Sequence, residues 1–451
     1  MNKLRLASFG IRGYVGESLP PTTVIDFASA FATYVDGGRV LLGRDTRYSS
    51  PMLHAAVLSG LMSGGCEVFD LGVCPTPLLQ FAVKSYGAMG AVSITGGHNA
   101  MGWNSVTLIG ADGAFIEPVG GESVLDSFHA RIFRQSDWCS IGKVKQIEDA
   151  ADSYFEALAQ WVNLEAIRKA NFRILIDPVG GAGCAYLDAF AQQLNLNVVS
   201  VNAEPSGYLA REPEPRPRSA LQMASIIGHT GAQAGFLLSS DMGRVSMVTE
   251  TGEPTSEEYT FPLIANHVLA KKSGPVVTNI CTTRTLDEIA RRHKVPLIKT
   301  RVGQAYVLST VRDTQAVLGG EGSGSVALPA FSPAFDGFMM MALILEAMAE
   351  TELTLSALVK QLPRYHIIKR TVPCGSRDGY LAVDALRELA TQQGQGEVDY
   401  TDGLRVDFED SWVHVRISQT QQMVRIIAEA TDAETAEQRA EESIRVIQKI
   451  L

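Results

Sequence analysis

AVSITGGHNAMGWNSVTLIG, residues 91–110, opens as an apolar strand and empties into a loop of Gly96, Gly97, His98 and Asn99. Glycines let a backbone approach a ligand closely, and Thr95, His98, Asn99 and Asn104 bring polar groups to the strand's carboxyl end, where open α/β sheets place their sites. A reaction centre is expected here. Working outward, a strand at Val40–Leu42, a helix at 52–63, a strand at 67–71 and a helix after Pro75-Thr76-Pro77 lead into this stretch. That βαβαβ rhythm predicts a mostly parallel sheet with covering helices.

Two arginine-bearing turns precede it. In FGIRG (9–13), Arg12 sits between glycines and reads either as an oxyanion or phosphate contact or as a solvated loop charge. A helix after Pro20-Pro21-Thr22 carries Val24, Phe27, Ala28 and Phe31 on one face. In GRDTRYSSP (43–51), Arg44 and Arg47 bracket Asp45, and Ser49 and Ser50 stand ready to cap the next helix, which predicts an anion site.

The pattern then restarts. A polar interval at 149–153 precedes a helix, and a buried strand at 172–177 ends in PVGGAG (178–183). Further strands are expected at 198–201 and 235–238, the latter ending in SSDMGR (239–244) before a hairpin-like VSMVTETGEP. A third restart at Glu257 brings a helix to Lys271, a strand at 276–279, a helix opened by Cys281–Arg284, and GGEGSGSV (319–326). In that loop Glu321, Ser323 and Ser325 can hydrogen-bond hydroxyl groups. After Pro363 the pieces look antiparallel (366–373, 403–408, 412–416, 424–430), with helices at 379–392 and 434–451, an α+β module. RISQTQQ (416–422) lies between two of its strands and offers a cation and hydroxyls without a glycine.

Bulk properties bound the partners. A chain of 451 residues, 46% of them apolar, has room for about three or four domains. A net charge of −10 without runs of like charge argues against nucleic acid or an anionic membrane as partner. The six cysteines are scattered with no CxxC pair, as in buried free thiols of a reducing cytosol. The opening residues carry no signal-peptide core and no apolar run reaches the ~18 residues of a membrane span, so a cytoplasmic protein is expected.

The order of these loops resembles the α-D-phosphohexomutase superfamily, which contains phosphoglucomutases, phosphomannomutases and phosphoglucosamine mutases. FGIRG followed by VGESLPP, GRDTRYSSP, DLGVCPTPLLQFAV and NAEPSGYLAREPEP carry the likeness along essentially the whole chain. The resemblance implies three related mixed-sheet α/β domains and a C-terminal α+β domain around a central cleft. The expected domains are 1–150 with a phosphoserine loop at 95–100, 151–255 with a metal loop at 239–244, 256–366 with a sugar loop at 319–325, and 367–451 with a phosphate loop at 416–422.

The resemblance also implies which residues work. Gly97 stands where the family's loop has its nucleophilic serine, Thr107 where it has a lysine, and Asp241 is the one aspartate of three in the magnesium loop. Magnesium wants charged oxygen ligands, so its site reads as degenerate. Ligand contacts are expected from Arg12, Arg44, Thr95, Asn99, Arg244, Glu321, Ser323, Asp336, Arg416, Ser418 and Thr420. These substitutions lead to the expectation of a non-catalytic protein that binds a sugar phosphate or a related phosphorylated small molecule. Two alternatives stand beside it: a different enzyme using His98 as general acid or base, and a mutase with a substitute nucleophile such as Ser93, Ser105 or Thr95. A homo-oligomer or a pairing with an active paralogue stays open.

Overall fold

The computed structural model describes residues 3–394, 396–418 and 422–451. The chain divides into two compact bodies, one of residues 1–268 and 323–359, the other of residues 269–322 and 360–451.

The first body begins with seven strands, β1 (Arg5–Ala7), β2 (Gly10–Tyr14), β3 (Val40–Arg44), β4 (Val68–Val73), β5 (Gly90–Ile94), β6 (Trp103–Gly110) and β7 (Val144–Gln146), in the order β1-β2-β6-β5-β3-β4-β7. Helices α1 (Pro21–Tyr34), α2 (Ser50–Ser63), α3 (Thr76–Ser85) and α4 (Pro118–Ala130) accompany them. The helix expected after Pro20 is α1, whose apolar face meets α2 across Val24, Phe27, Ala28 and Phe31. β3 pairs in parallel with β4 and β5, but β6 runs antiparallel to β5 and to β2. The mostly parallel sheet is therefore corrected to a mixed one. The 95–102 loop is too short for a crossover, so the chain can only return antiparallel beside the strand it left.

A second sheet follows. After α5 (Ala150–Ala159) and α6 (Leu164–Ala170) come β8 (Arg173–Asp177), α7 (Leu187–Leu194), β9 (Asn197–Ser200), α8 (Leu221–Thr230), β10 (Ala234–Leu238) and β11 (Val245–Thr249), ordered β11-β10-β8-β9. The irregular interval expected at 149–153 is corrected: from Ala150 these residues form the first turn of α5, whose Tyr154, Phe155 and Leu158 supply the apolar spacing that holds it. The hairpin-like 245–254 is β11 turning back to an isolated antiparallel bridge between Val248 and Pro254, and β11 itself pairs antiparallel with β10. α9 (Thr260–Lys271) leads out of this body.

The second body holds β12 (Val276–Asn279), α10 (Arg284–His293), β13 (Leu297–Thr300), α11 (Gln304–Asp313) and β14 (Leu318–Glu321), with β12 parallel to both β13 and β14. The chain returns to the first body for β15 (Ser325–Ala327) and α12 (Gly337–Thr351), then passes through α13 (Leu355–Lys360). The second body closes with β16 (His366–Pro373), α14 (Ser376–Gln393), β17 (Glu397–Asp399), β18 (Leu404–Asp407), β19 (Ser411–Ile417), β20 (Met423–Ala430) and α15 (Ala433–Ile450). Its antiparallel sheet, ordered β16-β20-β19-β18-β17, encloses a core of Val406, Val415, Ile426, Ala440 and Ile447. Among the described residues no helix is long and apolar enough to cross a membrane.

Candidate active site

β3 and β5 are in register at Arg44 and Ile94, so the segments leaving both strands meet at one end of the sheet. Asp45 ties them together. Its buried carboxylate accepts Thr95 Oγ1–H (2.8 Å), Gly96 N–H (3.1 Å) and Arg47 Nε–H (3.1 Å). Arg47, fully buried, donates in turn to the carbonyls of Gly97 (3.0 Å), Asn99 (2.7 Å) and Ala100 (2.8 Å). A Cβ on Gly96 would stand 2.3 Å from the Arg47 guanidinium carbon, which excludes any side chain there. Gly97 has φ +53°, the left-handed region that favours glycine.

This geometry corrects the anion site expected from Arg44, Arg47 and the serines. The Arg47 guanidinium is turned inward and shapes the 95–102 loop. Ser49 and Ser50 do not cap α2: Ser50 Oγ donates to Asp45, and Ser49 Oγ accepts from Asn104. Arg44 donates to the Asp45 carbonyl. The expected contacts Thr95 and Asn99 also serve the loop, Thr95 Oγ1 receiving Gly97 N–H (2.9 Å) and Asn99 Nδ2 donating to Gly96 O (2.7 Å). Ser93 shares a hydrogen bond with Thr76, and Ser105 donates to Thr95 O.

The 239–244 loop comes to the same place. Ser240 Oγ donates to Gly97 O (2.7 Å), and a Cβ on Gly97 would stand 3.1 Å from Asp241 Oδ2. Asp241 Oδ1 accepts Ser239 Oγ–H (2.6 Å) and Gly243 N–H (3.1 Å). Arg244 Nη1 pairs with Glu214 (2.7 Å), and its Nη2 lies 3.5 Å from His98 Nε2. Among the described residues nothing hydrogen-bonds the Arg12 guanidinium, whose pKa is lowered by burial and by the charges of Arg5 and Arg244, with Asp241 acting against them. So Asp241 stands against Gly97, Arg244 lies beside His98, and the charges of Asp241 and Arg244 both act on Arg12. Sequence reasoning missed Glu214, Ser239 and Ser240, although the hydroxyls were visible in SSDMGR.

The loop does not fit magnesium. One oxygen of its single carboxylate already holds two hydrogen-bond donors, Ser239 and Gly243 flank it where a hard cation would need carboxylates, and the charges of Arg12 and Arg47 already act on it. Among the described residues the one cluster with metal-ligand spacing is elsewhere, at His267, Glu346 and Glu350, where His267 Nε2 and Glu346 already share a 2.7 Å hydrogen bond.

In the second body, Glu321 ends β14 buried, its Oε1 receiving Asn279 Nδ2–H (3.0 Å) and Gly303 N–H (3.2 Å). Among the described residues Oε2 has no hydrogen-bond partner, so it can accept a hydroxyl. Arg416 sits near the end of β19 opposite Arg425, and Ser418 N–H donates to Met423 O (2.9 Å). Thr420 lies outside the described residues. Ser323 belongs to the first body, half-buried, with its Oγ 3.4 Å from Ser325 Oγ. Asp336 is corrected from a ligand contact to a structural cap. It is buried at the start of α12, accepts Phe338 and Met339 N–H (3.1 Å each), and meets Tyr154 OH at 2.7 Å.

Four models describing phosphoglucomutase/phosphomannomutase domains match the chain: α/β/α domain I over residues 5–135, domain II over 152–252, domain III over 256–365 and the C-terminal domain over 369–446. The chain belongs to the phosphoglucomutase/phosphomannomutase family. It is 34% identical over 458 residues to a Thermococcus kodakarensis protein named phosphoglucomutase/phosphomannomutase, covering 100% of both chains. It is 32% identical over 440 residues to a Pyrococcus abyssi protein named probable phosphoglucosamine mutase, covering 97% of this chain and 96% of that one. The crystal structure of a phosphoglucomutase/phosphomannomutase family protein from Burkholderia thailandensis superposes with a TM-score of 0.86 at 25% identity, covering 99% and 98% of the two chains.

These matches confirm the phosphohexomutase-like α/β architecture and overturn the expected non-catalytic binding protein. The relatives that align end to end with this chain carry the names of active mutases, and nothing in the family match marks a loss of activity.

Proposed function

We propose that the protein is an α-D-phosphohexomutase that moves a phosphoryl group between two hydroxyls of a phosphorylated hexose, with a phosphoryl carrier other than a side chain at position 97. The observation that carries this reading is the end-to-end relation to a phosphoglucomutase/phosphomannomutase. The site supports it with the unpartnered Arg12 guanidinium beside Arg244, a cationic setting suited to a phosphoryl group in transfer. Glu321 is proposed to accept sugar hydroxyls through Oε2, and Arg416 to anchor the phosphate at rest. The protein is assigned to the cytoplasm, in keeping with its six free thiols.

The test is interconversion of the 1- and 6-phosphates of glucose, mannose and glucosamine, each with and without its hexose 1,6-bisphosphate as primer. Turnover of at least one pair is expected. If no pair interconverts under any of these conditions, the proposal fails.

A further inference from the structure

We propose that Asp241 is the phosphoryl carrier, its Oδ2 taking the place of a hydroxyl at position 97. The inference rests on the mutase reading of this site and deepens it by naming the group that holds the phosphoryl.

Three observations converge on this carboxylate. Asp241 Oδ2 faces Gly97 so closely that a Cβ there would stand 3.1 Å from it, and only glycine leaves that oxygen uncrowded. Oδ1 is held by the Ser239 hydroxyl and the Gly243 amide, which fixes the plane of the carboxylate, while Oδ2 has no hydrogen-bond partner among the described residues. One oxygen anchored and the other presented is the arrangement a nucleophilic carboxylate needs, and carboxylates do form phosphorylated intermediates. The neighbouring hydroxyls are engaged instead: Ser240 donates to Gly97 O, Thr95 to Asp45, Ser105 to Thr95 O, and Ser93 is bonded to Thr76. Ser239 is almost fully buried and also accepts Arg244 N–H.

Two anions must meet for this step, so positive charge has to be at hand. Arg12 supplies it, its charge acting on Asp241, while Arg244 beside it is already paired with Glu214, and this is where the loop fails to fit magnesium. Asp241 Oδ2 attacks the phosphorus of a phosphate monoanion and the bond from phosphorus to the sugar oxygen breaks. The proton carried by the phosphate passes to that oxygen, giving a free sugar hydroxyl and an aspartyl phosphate. The reverse step on the other hydroxyl completes the exchange, with no further reactant consumed.

The test is to incubate the full-length protein with glucose 1,6-bisphosphate labelled in its phosphates, with and without EDTA, and then to treat it with neutral hydroxylamine. An acyl phosphate is cleaved by hydroxylamine and a serine ester is not. The expected result is a covalent label that forms in EDTA, is released by hydroxylamine, persists in Ser239→Ala and is absent from Asp241→Asn. Reduction with borohydride should convert residue 241 to homoserine. The far-ultraviolet circular dichroism and melting temperature of both variants establish that they fold. A hydroxylamine-resistant label, a label that survives Asp241→Asn, or a label abolished by EDTA overturns the assignment. Interconversion of hexose phosphates without any label removes the carrier while leaving the mutase reading intact, and absence of both label and interconversion removes the two together.

Discussion

Gly97 shows how much one residue decides at the site. Its left-handed backbone and its approach to Asp241 make any side chain unwelcome, so a hydroxyl placed there strains the loop. Gly97→Ser is expected to destabilise the protein by about 1–2 kcal/mol through the left-handed φ and to lower hexose-phosphate turnover by displacing Asp241. A urea midpoint and the interconversion assay check both, and a gain in turnover contradicts the expectation. Arg47 carries the opposite lesson, a cation whose partners lie within the fold. Arg47→Met leaves the buried Asp45 uncompensated and is expected to cost roughly 3–5 kcal/mol by chemical denaturation. The residue types of the site could be seen in the sequence, but their partners could not. Arg12, Arg44 and Arg47 look alike in a string of letters, and only burial and carbonyl direction separate a free guanidinium from a loop anchor.

At the scale of elements, strand and helix positions followed from periodicity. β16 occupies the predicted 366–373, β3, β10 and β20 lie within a residue or two of their expected bounds, and α1 begins at Pro21, beside its expected start. β1, β2, β7, β13, β14, β15 and β17 escaped, because strands of three to five residues have too little period to read, and the eight-residue β6 escaped beside them. α12 depends on its cap. Asp336→Ala removes two amide contacts and strands the buried Tyr154 hydroxyl, and a loss of about 2–4 kcal/mol is expected by thermal or urea unfolding. Burial raises the Asp336 pKa to about 6, so in the folded state its charged form is penalised. That contribution to stability is fully present below the ordinary carboxylate pKa and is lost as pH rises through about 6.

For the whole molecule, the two bodies respond to acid in opposite senses at these sites. In the second body, His414 is buried between Cys281 Sγ (2.9 Å from Nδ1) and the Asp402 carbonyl (2.6 Å from Nε2), so Nε2 carries the proton and Nδ1 accepts the thiol. Burial lowers its pKa to about 4. The unfolded chain binds the proton first, so this term costs about 3 kcal/mol as pH falls from 6.5 through 4, while the Asp336 term in the first body gains over much of the same range. Hydrogen exchange at pH 5 against pH 7 is expected to show the second body loosening selectively, and His414→Gln to flatten that dependence. Equal loosening of both bodies argues against the assignment.

The sequence by itself determined the family, the order of the loops and most of the regular elements, since apolar spacing and short motifs are local properties of the chain. It also pointed to Gly97 and to the aspartate of SSDMGR as residues of the site. Only the tertiary structure decided what those letters do. Gly97 and Asp241 are 144 residues apart in sequence, and the contact that places an open carboxylate oxygen where a side chain is missing exists only after two sheets have folded and brought their loops together. Hydrogen-bond partners, burial and pKa are long-range properties, and they separate the residues that shape the loops from those that face the site.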